Sequence, residues 1–217
     1  MARRHNDPAR TREQILNKAT EEFGRVGFDG ARVDRIAARC KLSKNMLYYY
    51  FHSKEKLFVA VLERMYEGMR DQQKDLALRT SDPMMALEQL IRHTFAAFRD
   101  NPAAIRLMNE ENKHRAKYLR KSAWVRGLYE PLLETIGFIL HRGGKDGIFR
   151  PDMDPAMVYL TFSSLCYHFL SNQFTLEIAL GREMGSESAQ EQWLDHVVEV
   201  VMRQCCVNGK DAPAKRL

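Results

Sequence analysis

One run of ten residues concentrates the side chains best suited to chemistry: Ser43, Lys44, Asn45, Met46, Leu47, Tyr48, Tyr49, Tyr50, Phe51 and His52. Leu47 and Phe51 are four apart, so on a helix both turn to one apolar side. Lys44, Asn45, Tyr48, Tyr49 and His52 then share the outward side. A cation, an amide and phenolic hydroxyls suit phosphate oxygens and base edges, whereas a merely solvated helix favours Glu and Lys. Three consecutive tyrosines are costly to expose unless something covers them. Packing against a preceding helix accounts for Tyr50 better than for Tyr48 or Tyr49. The chemistry implied is recognition of duplex nucleic acid rather than bond making.

Helical spacing positions this run. The first helix is expected to start near Thr11, whose spacing to Gln14 fits a capping box. Its inward face is Ile15, Ala19 and Phe23, with Leu16 beside it. The glycine-rich stretch Gly24 to Gly30 is expected to stop it. A short second helix carries Val33, Ile36 and Ala37, and Cys40-Lys41-Leu42 turns the chain. Ser43 reads as the N-cap of a third helix, Lys44 to Phe51. His52 leads to Ser53, the expected cap of a long fourth helix reaching about Arg79. Two short helices joined by a tight turn over residues 32–51 match a helix-turn-helix, whose second helix enters the major groove.

The remainder is helical too, and no alternation with period two is long enough for a strand. Asp82-Pro83, Asn101-Pro102 and Asp154-Pro155 each place a cap residue before a first-turn proline. Pro131 should kink or divide a helix. Gly143-Gly144 and the segment Gly147 to Pro151 are expected to form a loop. Gly181 to Gly185 should separate two last helices, 155–180 and 187–206, and the polar tail from Asn208 should fray. The expected fold is all-α with about nine helices. Residues 9–69 are expected to form a helix-turn-helix domain, and residues 70–207 a second, helical domain.

Charge agrees with a polyanion partner at one end. The 217-residue chain has a net charge of +6. Residues 1–56 hold 13 Lys and Arg against 7 Asp and Glu, which accounts for the whole excess. A basic surface without a partner would look the same on charge alone. No apolar run is long enough for a membrane span, and the basic start lacks the apolar core of a signal peptide. Cys40, Cys166, Cys205 and Cys206 have no paired spacing, which fits a reducing cytoplasm. Glu111-x-x-His114 has di-iron spacing, but such a bundle needs a second copy and two further carboxylates, and the sequence offers none. With no nucleophile elbow, phosphate loop or HExxH, no catalytic residue, metal or cofactor is expected.

Residues 11–62 resemble the N-terminal domain of tetracycline-repressor (TetR) type regulators. The matching text is Thr11-Arg-Glu-Gln-Ile-Leu16, Phe23 with Gly27-Phe28, Val33-Asp-Arg-Ile-Ala37, Leu42 through Phe51, and Ser53-Lys-Glu-Lys-Leu57. The stretch Gly147-Ile-Phe-Arg-Pro-Asp-Met-Asp-Pro155 is weakly similar to the branch containing the pyrimidine-utilisation regulator. The resemblance implies a DNA contact set of Arg32, Ser43, Lys44, Asn45, Met46, Tyr48, Tyr49, His52 and Lys54. Tyr48 would touch phosphate, and Tyr49 would approach bases beside Lys44, Asn45 and Met46. Lys54 and the first turn of helix four would hold a phosphate, and Arg32 would meet the DNA backbone. Arg3, Arg4 and Arg10 would form an arm or a free tail. Three departures stand out. Helix two lacks a hydroxyl cap at Ala31-Arg32, Lys41 stands where glycine is common in the turn, and Asn45-Met46 replaces a frequent Gly-Thr.

The resemblance further implies a repressor released from a palindromic operator by a small, largely apolar effector. The partners are then double-stranded operator DNA, a second copy of the chain and an unidentified effector, with no membrane. Effector contacts are sought among His93, Phe95, Phe98, Met108, Asn112, Trp124, Tyr129, Phe138, Tyr159, Phe162, Cys166, Tyr167 and Asn172, taken to face inward. The apolar stripes of the last two helices suggest a homodimer interface at Leu165, Phe169, Phe174, Trp193, Val197 and Val201, alongside Met157, Leu160 and Leu194. Alternatives are a DNA-binding protein without an effector and, less well supported, a helical metalloenzyme.

Overall fold

A computed structural model describes residues 7–71, 80 and 82–207. Arg3, Arg4, the end of helix four near Arg79 and the tail from Asn208 lie outside the described residues. Nine α-helices and no named strand occur among those described: α1 (Pro8–Gly30), α2 (Val33–Arg39), α3 (Lys44–Phe51), α4 (Lys54–Asp71), α5 (Pro83–Arg99), α6 (Pro102–Lys113), α7 (Glu130–Lys145), α8 (Pro155–Leu180) and α9 (Glu187–Cys205). The chain divides into two compact units. One combines Met1–Glu67 with Pro102–Val125, the other Gly68–Asn101 with Arg126–Leu217.

The first unit is larger than the expected head. Its core joins Ile15, Leu16, Ala19, Phe23, Val33, Ile36, Leu47, Phe51, Leu57, Phe58 and Leu62 to Leu107 and Tyr118 from beyond residue 100. Residues 102–125, assigned by sequence to the second domain, therefore pack with the head. Helix α1 begins three residues earlier than expected, because the Asp7 carboxylate caps it at Ala9 N–H and Pro8 opens it. It also passes through the glycines that were to stop it, bending at Gly27, where φ is +69°. That bend admits a carboxylate from α6: Glu110 Oε1 accepts the Phe28 N–H at 2.8 Å. A Cβ on Gly27 would stand 2.7 Å from the same oxygen.

The second unit packs α5 against α7, α8 and α9, with α8 also against α7 and α9. Leu87, Leu90, Ile91, Phe95, Ile136, Ile139, Phe162, Cys166, Val197 and Val201 are buried in it. The side chains of Asp82 and Asp154 cap α5 and α8, with prolines in the first turns, as the dipeptides predicted. Asn101 does otherwise, and its amide donates back to Ala97 O at 3.0 Å. Pro131 opens α7 rather than bending it. Gly143 and Gly144 are helical, not loop. The Phe149 ring lies so close to Gly143 that a Cβ there would meet it at 2.2 Å. Phe149 pairs with Cys206 in an isolated antiparallel bridge, tying the segment after α7 to the end of α9.

Candidate nucleic-acid interface

Helix α3 forms where cap and apolar pair agree. Ser43 Oγ accepts the Met46 N–H at 3.2 Å, and Leu47 and Phe51 are buried. Lys44, Asn45, Met46, Tyr49 and His52 are exposed, with Tyr49 at 75%. Tyr49 stands edge-on to Tyr50, with ring centroids 5.5 Å apart. Tyr48 differs from expectation: like Tyr50, it is half-buried and packs on the head core. Tyr49 is therefore the one fully projecting ring of the three. Lys44 Nζ lies 3.1 Å from Asp34 on α2. Hydrogen bonding to Asp34, with its charge, raises the Lys44 pKa, so the ammonium stays protonated.

The turn before α3 takes the strained option. Lys41 adopts φ +56°, a left-handed geometry that costs a side-chain-bearing residue on the order of 1 kcal/mol. Leu42 N–H donates back to Ala37 O at 2.9 Å and closes the turn. His52, at the far end of α3, has φ +60° and points the chain into α4. Ser53 Oγ then accepts the Lys56 N–H at 3.1 Å.

The missing hydroxyl cap of α2 is made good from elsewhere. Arg32 occupies the cap position with no side-chain cap bond. Glu22 of α1, fully buried, receives the Arg32 backbone N–H and pairs with Arg25 at 2.9 Å and Arg35 at 3.0 Å. Burial opposes its charge, but these hydrogen bonds and guanidinium charges outweigh it and hold the carboxyl below its usual range. A buried anion at the start of α2 replaces the cap that Ala31-Arg32 cannot supply. Sequence reasoning missed Glu22, although its place seven residues after Ile15 and three after Ala19 puts it on the inward face of α1.

Arg32 is exposed. Lys54 is half-buried, with Nζ 4.6 Å above the Phe28 ring and 3.4 Å from Asp29 O. Burial lowers its pKa. Arg10 is exposed but lies within α1, so it belongs to a helix and not to a free arm.

The expected effector set is divided between the two units. Met108, Asn112 and Trp124 belong to the first unit, and Asn112, Trp124 and Phe138 are exposed instead of inward. The Asn172 amide donates to His168 O within its own helix. In the second unit His93 is half-buried, and Phe95, Phe98, Phe162 and Cys166 are buried. Burial pushes the Cys166 thiol up to about 12, so it behaves as core. Phe98 meets Tyr167 at 5.7 Å. Tyr129, Tyr159 and Phe162 do meet, with Tyr159 5.9 Å from Tyr129 and 5.5 Å from Phe162. The buried guanidinium of Arg70, which sequence reasoning missed, lies 4.4 Å over Tyr129 and donates to Tyr159 Oη at 3.1 Å.

The expected dimer set also divides. Phe169, Val197 and Val201 are buried within the chain, and Trp193 stacks on Phe169 at 5.1 Å. The α9 stripe packs against α5 and α8 of the same chain, so it is intrachain core. Leu165 is half-buried. Phe174 is exposed, together with Met157, Leu160 and Ile178 on α8. Ile178 was missed because α8 is apolar nearly all round, and sequence cannot say which side its own chain covers.

Glu111 does not act with His114. Its Oε1 accepts the N–H groups of Tyr118 and Leu119 at 2.8 and 2.9 Å. No helix among the described residues is long and apolar enough to cross a membrane.

Comparison with known proteins agrees with this geometry. Residues 15–61 match the model of bacterial regulatory proteins of the tetR family, and residues 83–201 that of the tetracyclin repressor-like C-terminal domain. The HTH-type transcriptional repressor NicS of Pseudomonas putida is 34% identical over 194 residues, covering 89% of this chain and 92% of that protein. The HTH-type transcriptional regulator RutR of Escherichia coli is 26% identical over 195 residues, covering 88% of each. The crystal structure of AibR in complex with isovaleryl coenzyme A and operator DNA has the same fold, with a TM-score of 0.65 at 18% identity. It is covered to 97% and covers 88% of this chain. The chain thus belongs to the TetR family, and is a DNA-binding transcriptional regulator, not an enzyme.

Proposed function

We propose that two copies of the chain grip an inverted-repeat operator in the cytoplasm, repress transcription there and let go when a small effector binds. The observation that carries this reading is the outward face of α3, where Lys44, Asn45, Met46 and Tyr49 stand exposed. A recognition helix enters the major groove with such residues at its N-terminal end. Tyr48, Ser43, His52, Arg32 and Lys54 flank that face and would contact phosphates. Repression is supported by the name of the NicS relative, and response to a small molecule by the ligand and DNA held together in the AibR complex.

The partner copy would dock on the outer face of α8. Met157 and Leu160 are three residues apart, Phe174 and Ile178 four, and the two pairs are separated by close to four helical turns, so all four fall on one stripe, and apolar area of this kind favours burial. The effector would lie by Arg70, Tyr129, Tyr159 and Phe162. Edge-on rings beside a guanidinium and a phenol favour a mainly apolar molecule with one or two hydrogen-bonding groups.

Selection of bound duplexes from a random library tests the reading. The expected product is an inverted repeat whose half-site centres lie a whole number of helical turns apart. Lys54→Ala should then weaken binding to every sequence alike and flatten the salt dependence by about one unit. Unselective recovery of duplexes, with no repeat and no preferred bases, would refute it.

A further inference from the structure

Away from the reading face, the end of α1 and the end of α6 bring together Asp29, Glu110 and His114. His114 Nε2 lies 3.2 Å from Glu110 Oε1 and 3.5 Å from Asp29 Oδ2. Three ligand atoms, one from each residue, all lie within 4.8 Å of one another. An imidazole nitrogen carries at most one proton, so a single N–H cannot satisfy both oxygens well. Donors about 2.0–2.2 Å from a tetrahedral ion stand roughly 3.3–3.6 Å apart, which is the spacing found around Nε2.

The cluster is more than surface charge. Glu110 is held by the Phe28 N–H at 2.8 Å, and its carboxylate fills the space that a side chain on Gly27 would need. Burial opposes its charge, but the Phe28 N–H, His114 and Lys113 outweigh it and keep the carboxyl below its usual range. Its lone pairs leave room for a second partner beside the amide. His114 sits one helical turn on from Glu110, edge-on to the Tyr118 ring at 5.4 Å. Asp29 is exposed and leaves the group open to solvent on one side.

We propose that Asp29, Glu110 and His114 bind one divalent transition-metal ion of the zinc class. One imidazole and two carboxylates suit such an ion, whereas calcium and magnesium favour all-oxygen sets. Water would complete the coordination on the open side. Binding needs His114 neutral at Nε2, so any proton there leaves as the ion enters. The ion would join the bent end of α1 to α6 and so stiffen the first unit. It would be a single-ion site, unlike the di-iron pair that Glu111-x-x-His114 first suggests.

Titrating the full-length, untagged protein with Co²⁺ alone tests this, followed by Zn²⁺ as competitor. The expected result is visible d–d absorption saturating at one equivalent, abolished by Zn²⁺, with a rise in Tm on adding Zn²⁺. Asp29→Asn, at an exposed position, should weaken Co²⁺ binding at least about tenfold. His114→Ala should remove the absorption, with circular dichroism confirming that the variant is folded. Absence of absorption and of a Tm shift would overturn the proposal. So would a signal unchanged in Asp29→Asn, or thiolate charge-transfer bands that place the ion on a cysteine. Any of these results leaves His114 Nε2 packed between the two carboxylates, with no ion, as the whole of the cluster.

Discussion

Tyr49→Ala and Lys44→Ala are each expected to lower affinity for the selected operator by about 1–3 kcal/mol, the cost of losing one good base contact. Both side chains are exposed, so neither change removes core packing. Circular dichroism and Tm should therefore match the parent protein. The loss should be specific: binding to unrelated duplex, which rests on phosphate contacts, should change far less. Lys44 carries a further constraint. Its ammonium lies 3.1 Å from Asp34, and turning to a base means leaving that partner. Asp34→Asn should therefore not reproduce the loss seen with Lys44→Ala. Fluorescence anisotropy on labelled operator reads all of these effects. Tyr48→Phe, at a half-buried ring, should be milder and should affect all sequences equally, as for a phosphate contact.

A charge on the outer face of α8 is expected to separate the two copies. Phe174 and Ile178 are 73% and 86% exposed in the single chain, an unusual state for large apolar side chains. Phe174→Asp with Ile178→Asp should leave each chain folded, because neither residue is buried in it. Light scattering at micromolar protein should change from dimer mass to monomer mass. Operator affinity should fall at least about a hundredfold, since one head contacts only one half-site. A dimer that survives both changes would place the interface elsewhere. Val197→Asp is the contrast: Val197 is fully buried among α5, α8 and α9, and its replacement should unfold the second unit.

Local signals were legible wherever they were complete. Ser43, Leu47 and Phe51 set the limits of α3 because a cap and an apolar pair one turn apart agree. Asp154-Pro155 and Gly181 set α8 for similar reasons, with a capped start and a left-handed end at φ +61°. Thr11 misled because the Thr-x-x-Gln spacing imitates a capping box, while Asp7-Pro8 offers a better cap and a proline in the first turn. The glycines at 24, 27 and 30 read as a stop because nothing nearby shows that Glu110, some eighty residues on, holds the Phe28 N–H. Lys41 was legible as a conflict, and the backbone resolves it by accepting the left-handed geometry.

The candidate sites follow the same division. The exposed face of α3 was legible, Tyr48 apart, because it lies within one short helix. Glu22 was not, since its role as a cap for α2 depends on two guanidinium groups and a backbone N–H brought in by the fold. The α9 stripe was misassigned to a partner because a helix with one apolar face has the same pattern whether its own chain or another covers it. Arg70 was missed because its burial beside Tyr129 and Tyr159 joins residues far apart in sequence.

Photocrosslinking from position 49 tests the central claim most directly. With benzoylphenylalanine replacing Tyr49, irradiation of the protein–operator complex should give a covalent adduct at a base inside each half-site. The same group at position 38, on an exposed part of α2, is the control and should give far less. Adducts at half-site bases from position 49 are the outcome expected of a helix seated in the major groove. Efficient operator binding with no adduct from position 49, or equal adducts from both positions, would contradict it.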